Sequence, residues 1–91
     1  MGILDDVDPE KSFWVNNGPV VNNLQQLPDA LRKMKNGQFA HHVNRDKNDF
    51  ANWIRDVVGD AKLADEIAKT TKKNALINII ERRISTAKKG K

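Results

Sequence analysis

The chain has 91 residues, a length that allows one small domain. It contains no cysteine, which excludes disulfides, thiolate metal sites and cysteine catalysis. Its net charge of +4 is unevenly distributed, because the first ten residues contain four acidic side chains and no basic one. No apolar run approaches the ~18 residues of a membrane span, and the acidic N-terminus is unlike a signal peptide. We therefore expect a cytoplasmic protein with no membrane partner.

The N-terminal part of the sequence predicts an arm followed by a hairpin. Residues 1–11 are acidic and lack hydrophobic periodicity, which predicts a flexible acidic arm. Residues 12–21 predict a β-hairpin, because Asn17-Gly18 is typical of a type I′ turn between two apolar strands. Pro19 cannot donate a hydrogen bond to a neighbouring strand, so it belongs at the start of a strand or at a sheet edge. Because two strands alone are marginally stable, we expect the hairpin to pack on helices.

The hairpin segment contains one of the two tryptophans, Trp14. Strand alternation places Phe13 and Val15 on one face of the hairpin and Trp14 on the other. Trp14 is therefore either a second contact with the core or an exposed anchor for a partner, and the sequence leaves both interpretations open.

A helical stripe follows the hairpin, and a short helix comes after it. The stripe has apolar residues at positions i, i+3, i+7 and i+10, which are Leu24, Leu27, Leu31 and Met34. This helix begins either at the candidate N-cap Asn23 or only from Pro28 onward. Asn36-Gly37 breaks the pattern, and a short helix is predicted over about residues 38–43.

The helix predicted over residues 48–58 has both its ends and its buried face specified by the sequence. Its apolar face follows the i, i+3, i+4, i+7, i+8 spacing and consists of Phe50, Trp53, Ile54, Val57 and Val58. Asn48 is a natural N-cap, and Asp49 lies in the first turn, where the helix dipole favours an acid. Gly59 suits the position just after the helix, where a glycine often terminates it. We expect this helix to be the centre of the fold.

Two further helices complete the prediction. Asp60 can cap the first of them, and the second is predicted over residues 72–87, followed by a flexible basic tail at 88–91. Lys72 and Lys73 begin the last helix with the wrong charge for its dipole, so they are either solvated or form a weak anion site.

These elements together predict the fold class. We expect one mainly α (α+β) domain over residues 12–87, in which an N-terminal β-hairpin packs on a compact bundle of four to five short helices.

A series of motifs occurs in order along residues 12–68. They are Phe13, Gly18-Pro-Val-Val, Leu24-x-x-Leu27-x-x-Ala-Leu31, Met34, Phe39-x-x-His42-Val43, Asn48-Asp-Phe-x-x-Trp53-x-x-Asp56-Val-x-Gly59-Asp60 and Leu63-Ala64. The most specific part is the combination HV…NDFxxW…DVxGD. With these motifs the chain resembles a small domain-of-unknown-function family of archaea and bacteria, found as stand-alone proteins and appended to larger ones. The resemblance implies the fold boundaries and no mechanism.

The densest group of polar side chains surrounds the start of the central helix. The members of this polar cluster are His41, His42, Asn44, Arg45, Asp49, Arg55 and Asp56, and the candidate interaction surface consists of the polar cluster and Trp14. Adjacent helical residues point about 100° apart, so His41 and His42 cannot easily chelate one ion, and we expect no metal. We expect His42 to be half-buried and hydrogen-bonded to Asp49 or Asp56, with Arg55 neutralising the carboxylates.

Basic residues dominate the C-terminal part of the chain. Between residues 69 and 91 the only acidic side chain is Glu81. The candidate polyanion-binding residues, which we call the basic set, are Lys69, Lys72, Lys73, Arg82, Arg83, Lys88 and Lys89. Such a set attracts polyanions by counterion release or simply forms a solvated, solubilising end of the chain.

Nothing in the sequence predicts catalysis or a cofactor. No serine or threonine lies in a motif that supplies a neighbouring base, and the five glycines are too scattered to cradle a phosphate. We expect a non-catalytic binding or adaptor domain that contacts another protein or a second copy of itself. The alternative is weak, sequence-independent nucleic-acid binding through the basic set.

Overall fold

The computed structural model describes residues 3–15 and 18–89 of the chain. Its helices are α1 (Leu27–Lys33), α2 (Asn36–His42), α3 (Asp49–Trp53), α4 (Ala61–Ala68) and α5 (Lys73–Lys89). Its strands are β1 (Phe13–Trp14) and β2 (Val20–Val21), which pair in one antiparallel sheet. The predicted mainly α fold with an N-terminal hairpin is confirmed.

The hairpin has a different register from the one that a two-residue turn would give. Phe13 pairs with Val21, and Trp14 pairs with Val20. The Val15 amide donates to the Pro19 carbonyl over 3.2 Å, so three residues separate this last pair. Asn16 and Asn17, which carry the predicted type I′ turn, lie outside the described residues.

The described part of the predicted acidic arm contacts the domain. The Val7 amide donates to the Asn22 carbonyl at 2.8 Å, and the Lys11 carbonyl accepts from the Trp53 indole at 2.8 Å. Three apolar side chains of this segment pack against the core, namely Ile3, Leu4 and Val7. The structure therefore gives the segment defined contacts, and its flexibility stays a prediction.

Both predicted starts of the first helix correspond to real features of the backbone. The Asn23 side chain accepts the Gln26 amide at 3.0 Å and caps a 3₁₀ turn over Leu24–Gln26. The α-helix α1 then begins at Leu27, directly before Pro28. A proline is tolerated there because the first helical amides have no acceptor within the helix.

The predicted break at Asn36-Gly37 is wrong, because both residues lie in the first turn of α2. The Gln38 side chain accepts the Lys35 amide at 2.9 Å and so stabilises the start of the helix. A cap that reaches back to the preceding amide lets a helix begin on residues of poor intrinsic propensity.

The central helix keeps its predicted ends but changes its winding. Asn48 accepts the Ala51 amide at 3.0 Å, and Gly59 ends the helix with φ of 89°. Between them, α3 continues as a π-helical turn over Ile54–Val58, in which the Gly59 amide donates to the Ile54 carbonyl at 2.7 Å. Glycine suits this left-handed position because it has no Cβ to clash with the backbone.

The core lies between the hairpin, α1, the central helix and the last two helices. Its largest fully buried side chains are Phe50, Leu24, Leu27, Leu31, Ile54, Leu63, Ile67, Leu76, Ile80 and Val21. Asn48 links the central helix to α4, because its amide nitrogen donates to the Ile67 carbonyl at 3.2 Å. Helix α5 extends two residues beyond its predicted end at residue 87, into the predicted tail.

Candidate functional site

The outer face of the hairpin carries the most exposed large apolar side chains of the described residues. Trp14 is 70% exposed and Val20 is 36% exposed, and the two are cross-strand partners. Because the 15–19 pair is hydrogen-bonded, the neighbouring 14–20 pair is of the non-hydrogen-bonded type, in which side chains lie closest. Of the two interpretations of Trp14, the structure therefore supports the exposed one.

A groove adjoins this pair on the side away from β1. It lies between β2 and α1, has a volume of about 230 Å³ and is lined by Pro19, Val20, Val21, Gln26, Asp29, Ala30 and Lys33. Its charged lining residues are one acid and one base, so the lining is neutral overall. Neither Val20 nor the groove was part of the predicted surface. The alternation of Val20 and Val21 was the available signal, because it places one valine outward opposite Trp14.

His42 lies in the core beneath the hairpin, more deeply buried than predicted. It is 5% exposed, and its ring centroid lies 5.1 Å from that of Phe13 and 5.5 Å from that of Phe50. Its Nδ1 lies 3.0 Å from the Asp49 carboxylate, which is one of the two predicted partners. His41 is exposed, with its ring perpendicular to that of His42. The two histidines therefore do not face a common point.

The predicted role of Arg55 in this network is wrong. Arg55 pairs with Asp65 of α4 at 2.9 Å, and Lys47 supplies the cation beside Asp49 at 3.2 Å. Lys47 is two positions before Asp49 in the chain, and the antiparallel bridge between Val43 and Asn48 closes the loop that contains it.

The rest of the polar cluster lies at the surface. Asn44, Arg45 and Asp56 are exposed, and the Asn44 side chain accepts the amides of Asp46 and Lys47 at 2.8 and 3.1 Å. A polar groove of about 240 Å³ is lined by Arg45 and Arg55 together with residues of the 44–48 loop. The predicted surface is thus divided into a buried part, an exposed loop and the separate Trp14 face.

Two members of the basic set make structural contacts. Arg83 donates to the buried Asp60 carboxylate at 2.7 Å, and Lys73 donates to the Met34 carbonyl, just after the end of α1, at 2.8 Å. Lys73 therefore binds an acceptor at the C-terminal, negative end of the α1 dipole. This contact differs from both predicted roles of Lys73, which were a solvated side chain and a weak anion site. The remaining members with described side chains, Lys69, Lys72, Arg82 and Lys88, are exposed.

Asp49 gives the buried histidine a charged partner. Burial raises the pKa of Asp49, but hydrogen bonds from His42 and Lys47 lower it by more, so the net pKa lies below its ordinary value of 3.8. A carboxyl whose pKa is lowered by folding stabilises the fold above its unfolded pKa, and this contribution is lost as the pH falls through the folded pKa.

We therefore expect Asp49→Asn to destabilise the protein near neutral pH and to approach the wild type below about pH 4. Urea unfolding at a series of pH values measures the difference in the free energy of unfolding. Asp46→Asn, which changes an exposed carboxylate of the same loop, serves as the control. A wild-type-to-variant difference that does not change with pH would contradict the assigned role of Asp49.

Residues 3–15 and 18–89 contain no group of three or more histidine and acidic side chains arranged to hold a metal ion. No helix within these residues combines the length and the apolar character needed to cross a bilayer.

Comparisons with protein-family models, with curated proteins and with solved structures found no match to the chain. The resemblance to a domain-of-unknown-function family therefore stays a prediction, and the function has to be inferred from the surfaces described above.

Proposed function

We propose that this chain is a non-catalytic binding or adaptor domain that contacts another polypeptide through the outer face of its hairpin. The observation that carries this proposal is the exposure of Trp14, at 70%, beside the exposed Val20. Tryptophan is enriched among the residues that contribute most to protein–protein binding, because one side chain removes a large apolar area from water. A cytoplasmic location is part of the proposal and is supported by the absence of cysteine from the sequence.

Local geometry supports this face as a recognition surface. Phe13 and Val15, which flank Trp14, are buried and fix the strand from below. The Trp14–Val20 pair is therefore presented on a supported backbone, which reduces the ordering cost that a partner must overcome. Arg45 and the other exposed residues of the 44–48 loop form a second, polar part of the proposed interaction surface.

Replacing Trp14 by alanine should weaken capture of a partner by at least tenfold, because a truncated binding hot spot costs about 2 kcal/mol or more. The measurement is quantitative capture by the immobilised chain from an extract of its own source cells. Asn78→Ala, which changes an exposed and uncharged side chain of α5, is the matched control and should capture normally. Equal capture by wild type and Trp14→Ala would contradict the proposed role of the hairpin.

A second candidate is weak polyanion binding through the basic set. It is supported by the exposure of four of its cations, Lys69, Lys72, Arg82 and Lys88, and by the net charge of +4. The engagement of Arg83 and Lys73 in structural contacts limits this candidate, because fewer cations remain to contact phosphates.

If the four exposed cations all contact DNA phosphates, log K against log salt should have a slope of about −4, and Arg82→Ala should reduce that slope by about 1. Fluorescence anisotropy with labelled duplex DNA of two unrelated sequences measures both the slope and the lack of sequence preference. Arg55→Ala removes an arginine that pairs with Asp65 and is the control. Absence of binding at about 50 mM salt would exclude this candidate.

A further inference from the structure

We propose that the partner of the hairpin face is a second copy of this chain, and that each Trp14 enters the groove between β2 and α1 of the other copy. This inference rests on the proposed function and names the occupant of the same surface. It follows from a projection and a cavity that lie on one face and share Val20.

The Trp14 side chain is the projection, and the groove between β2 and α1 is the cavity that receives it. Trp14 stands across the sheet from Val20 on β1, and neighbouring strands lie about 4.8 Å apart. The groove begins at Val20 and extends to the opposite side, toward Ala30 and Lys33 of α1. Val20 therefore separates an exposed indole from an open cavity of about 230 Å³. An indole is the largest side chain that a protein can offer such a space.

A two-fold axis can bring each Trp14 to the groove of the other copy. Two copies that meet face to face through the same surface are related by a two-fold axis lying in the plane of the interface. Suppose that this axis runs parallel to β2 and passes above Val20. The β2 strands of the two copies then point the same way, but the direction from β1 to β2 is reversed in the second copy. This rotation carries Trp14 of the second copy from the β1 side of Val20 to the groove side. The same axis therefore places each Trp14 at the groove of the other copy, and the two Val20 side chains meet at the centre.

The lining of the groove is partly apolar and has no net charge. The groove's apolar lining residues are Pro19, Val20, Val21 and Ala30, of which Pro19 and Val20 are exposed, while Asp29 and Lys33 give it no net charge. A neutral aromatic ring fits such a lining better than a charged ligand does. The indole N–H needs an acceptor when it is buried, and the Asp29 carboxylate offers one at the groove.

The backbone edge of β2 supports the same assignment. Val7 already donates to the Asn22 carbonyl, so the N-terminal segment occupies this edge beyond β2. The groove is lined by residues between Pro19 and Lys33, and none of them belongs to the described N-terminal segment. A second copy therefore has access at Val20 without displacing the N-terminal segment.

The area that this contact can bury decides how strong the dimer is. A buried tryptophan contributes roughly 150–250 Å², so two tryptophans with their surroundings remain below the ~1,200 Å² of the smallest standard interfaces. The dimer is accordingly transient, with a dissociation constant on the order of 100 µM. Because each copy carries +4, added salt should strengthen the dimer, whereas it weakens polyanion binding.

Sedimentation equilibrium from about 10 µM to 1 mM tests the self-association directly. The mass-average molecular weight of the wild type should rise from the monomer toward the dimer, and rise further at high salt. Trp14→Ala should stay monomeric, while Asn78→Ala, at an exposed and uncharged position of α5, should behave as the wild type. In a dilution series followed by NMR, the amides of Val20, Ala30 and Lys33 should shift together.

The absence of cysteine allows a second, positional test. A Val20→Cys variant should form a disulfide-linked dimer on mild oxidation, because the two Val20 positions meet on the axis. Asn78→Cys, at an exposed position of α5, should form far less at the same concentration. Adding Trp14→Ala to Val20→Cys should reduce the cross-linking to the level of that control.

A wild type that stays monomeric to about 1 mM, or equal cross-linking of the two cysteine variants, would overturn the dimer. If such a monomer still captured another protein in a Trp14-dependent manner, the proposed function would stand with a different partner. If the monomer captured nothing through Trp14, both the inference and the proposed function would fail.

Discussion

Replacing Trp53 by alanine should lower the free energy of unfolding by about 3–5 kcal/mol, the largest effect that we expect from one substitution. The ring is 7% exposed and lies edge-on to Phe13, with centroids 6.0 Å apart. Its indole nitrogen donates to the Lys11 carbonyl at 2.8 Å and so holds the N-terminal segment on the central helix. The change therefore removes a large core side chain and one bond to the N-terminal segment.

Urea unfolding followed by far-UV circular dichroism measures this loss without depending on tryptophan fluorescence. Trp53→Phe separates the two contributions, because it keeps an aromatic ring but leaves the Lys11 carbonyl without its donor. We expect it to cost about 0.5–1.5 kcal/mol, the usual net contribution of one hydrogen bond, plus a smaller packing term. If Trp53→Ala cost less than about 1 kcal/mol, the central helix would not organise the fold as we describe.

The sequence predicted best those features that depend on neighbouring residues. The cap at Asn48 and the left-handed residue at Gly59 were predicted correctly because capping is a matter of local backbone hydrogen bonding. The same local rules failed at Asn36-Gly37, where low helix propensity was overridden by the Gln38 cap and by the burial of Phe39.

Contacts between distant residues could not be predicted in this way. Lys73 binds a carbonyl 39 positions earlier, which no periodicity or spacing indicates. The partner of Arg55 was assigned wrongly for a related reason, since its choice of Asp65 depends on how α4 packs against the central helix. The π-helical turn at Ile54–Val58 preserves the apolar face of the helix, so the hydrophobic pattern does not distinguish it from an α-helix.

In the candidate site, too, local contacts could be predicted from the sequence and contacts between distant elements could not. The bond between His42 and Asp49 was among the predicted alternatives, and the 43–48 bridge closes the short loop between these two residues. The exposure of Trp14 was open from the sequence, since alternation gives the face but not what covers it. The groove beside Val20 depends on the position of α1 relative to β2, and only the folded structure supplies it.

Replacing Asp60 by alanine should cost about 2–4 kcal/mol, the second largest effect that we expect. Asp60 is 5% exposed, and its two carboxylate oxygens accept hydrogen bonds from different donors. Oδ1 accepts the Leu63 amide at 3.1 Å as the N-cap of α4, and Oδ2 accepts Arg83 of α5 at 2.7 Å. The loss of the cap alone costs about 1 kcal/mol, and the rest comes from the pairing of a buried carboxylate with a cation.

Three variants separate these contributions in urea unfolding experiments. Asp60→Asn keeps a capping oxygen but removes the charge, so it should retain the cap's share of the stability. Arg83→Ala leaves the buried carboxylate without its cation and should cost more than Arg55→Ala, because the Arg55–Asp65 pair is exposed on both sides and worth about 0–1 kcal/mol. The double variant Asp60→Asn/Arg83→Ala then gives the coupling energy of the pair.

The size of that coupling distinguishes the two possible roles of Arg83. A coupling above about 1 kcal/mol means that Arg83 fixes α5 against the start of α4, and that it is unavailable to a polyanion without loss of stability. A coupling near zero, with Arg83→Ala no more costly than Arg55→Ala, would contradict the structural role of Arg83. Arg83 would then be as available to a polyanion as the exposed cations of the basic set. Since Arg83 is the member of the basic set that approaches a buried carboxylate, the same experiment sets how much of the basic C-terminal helix remains for binding.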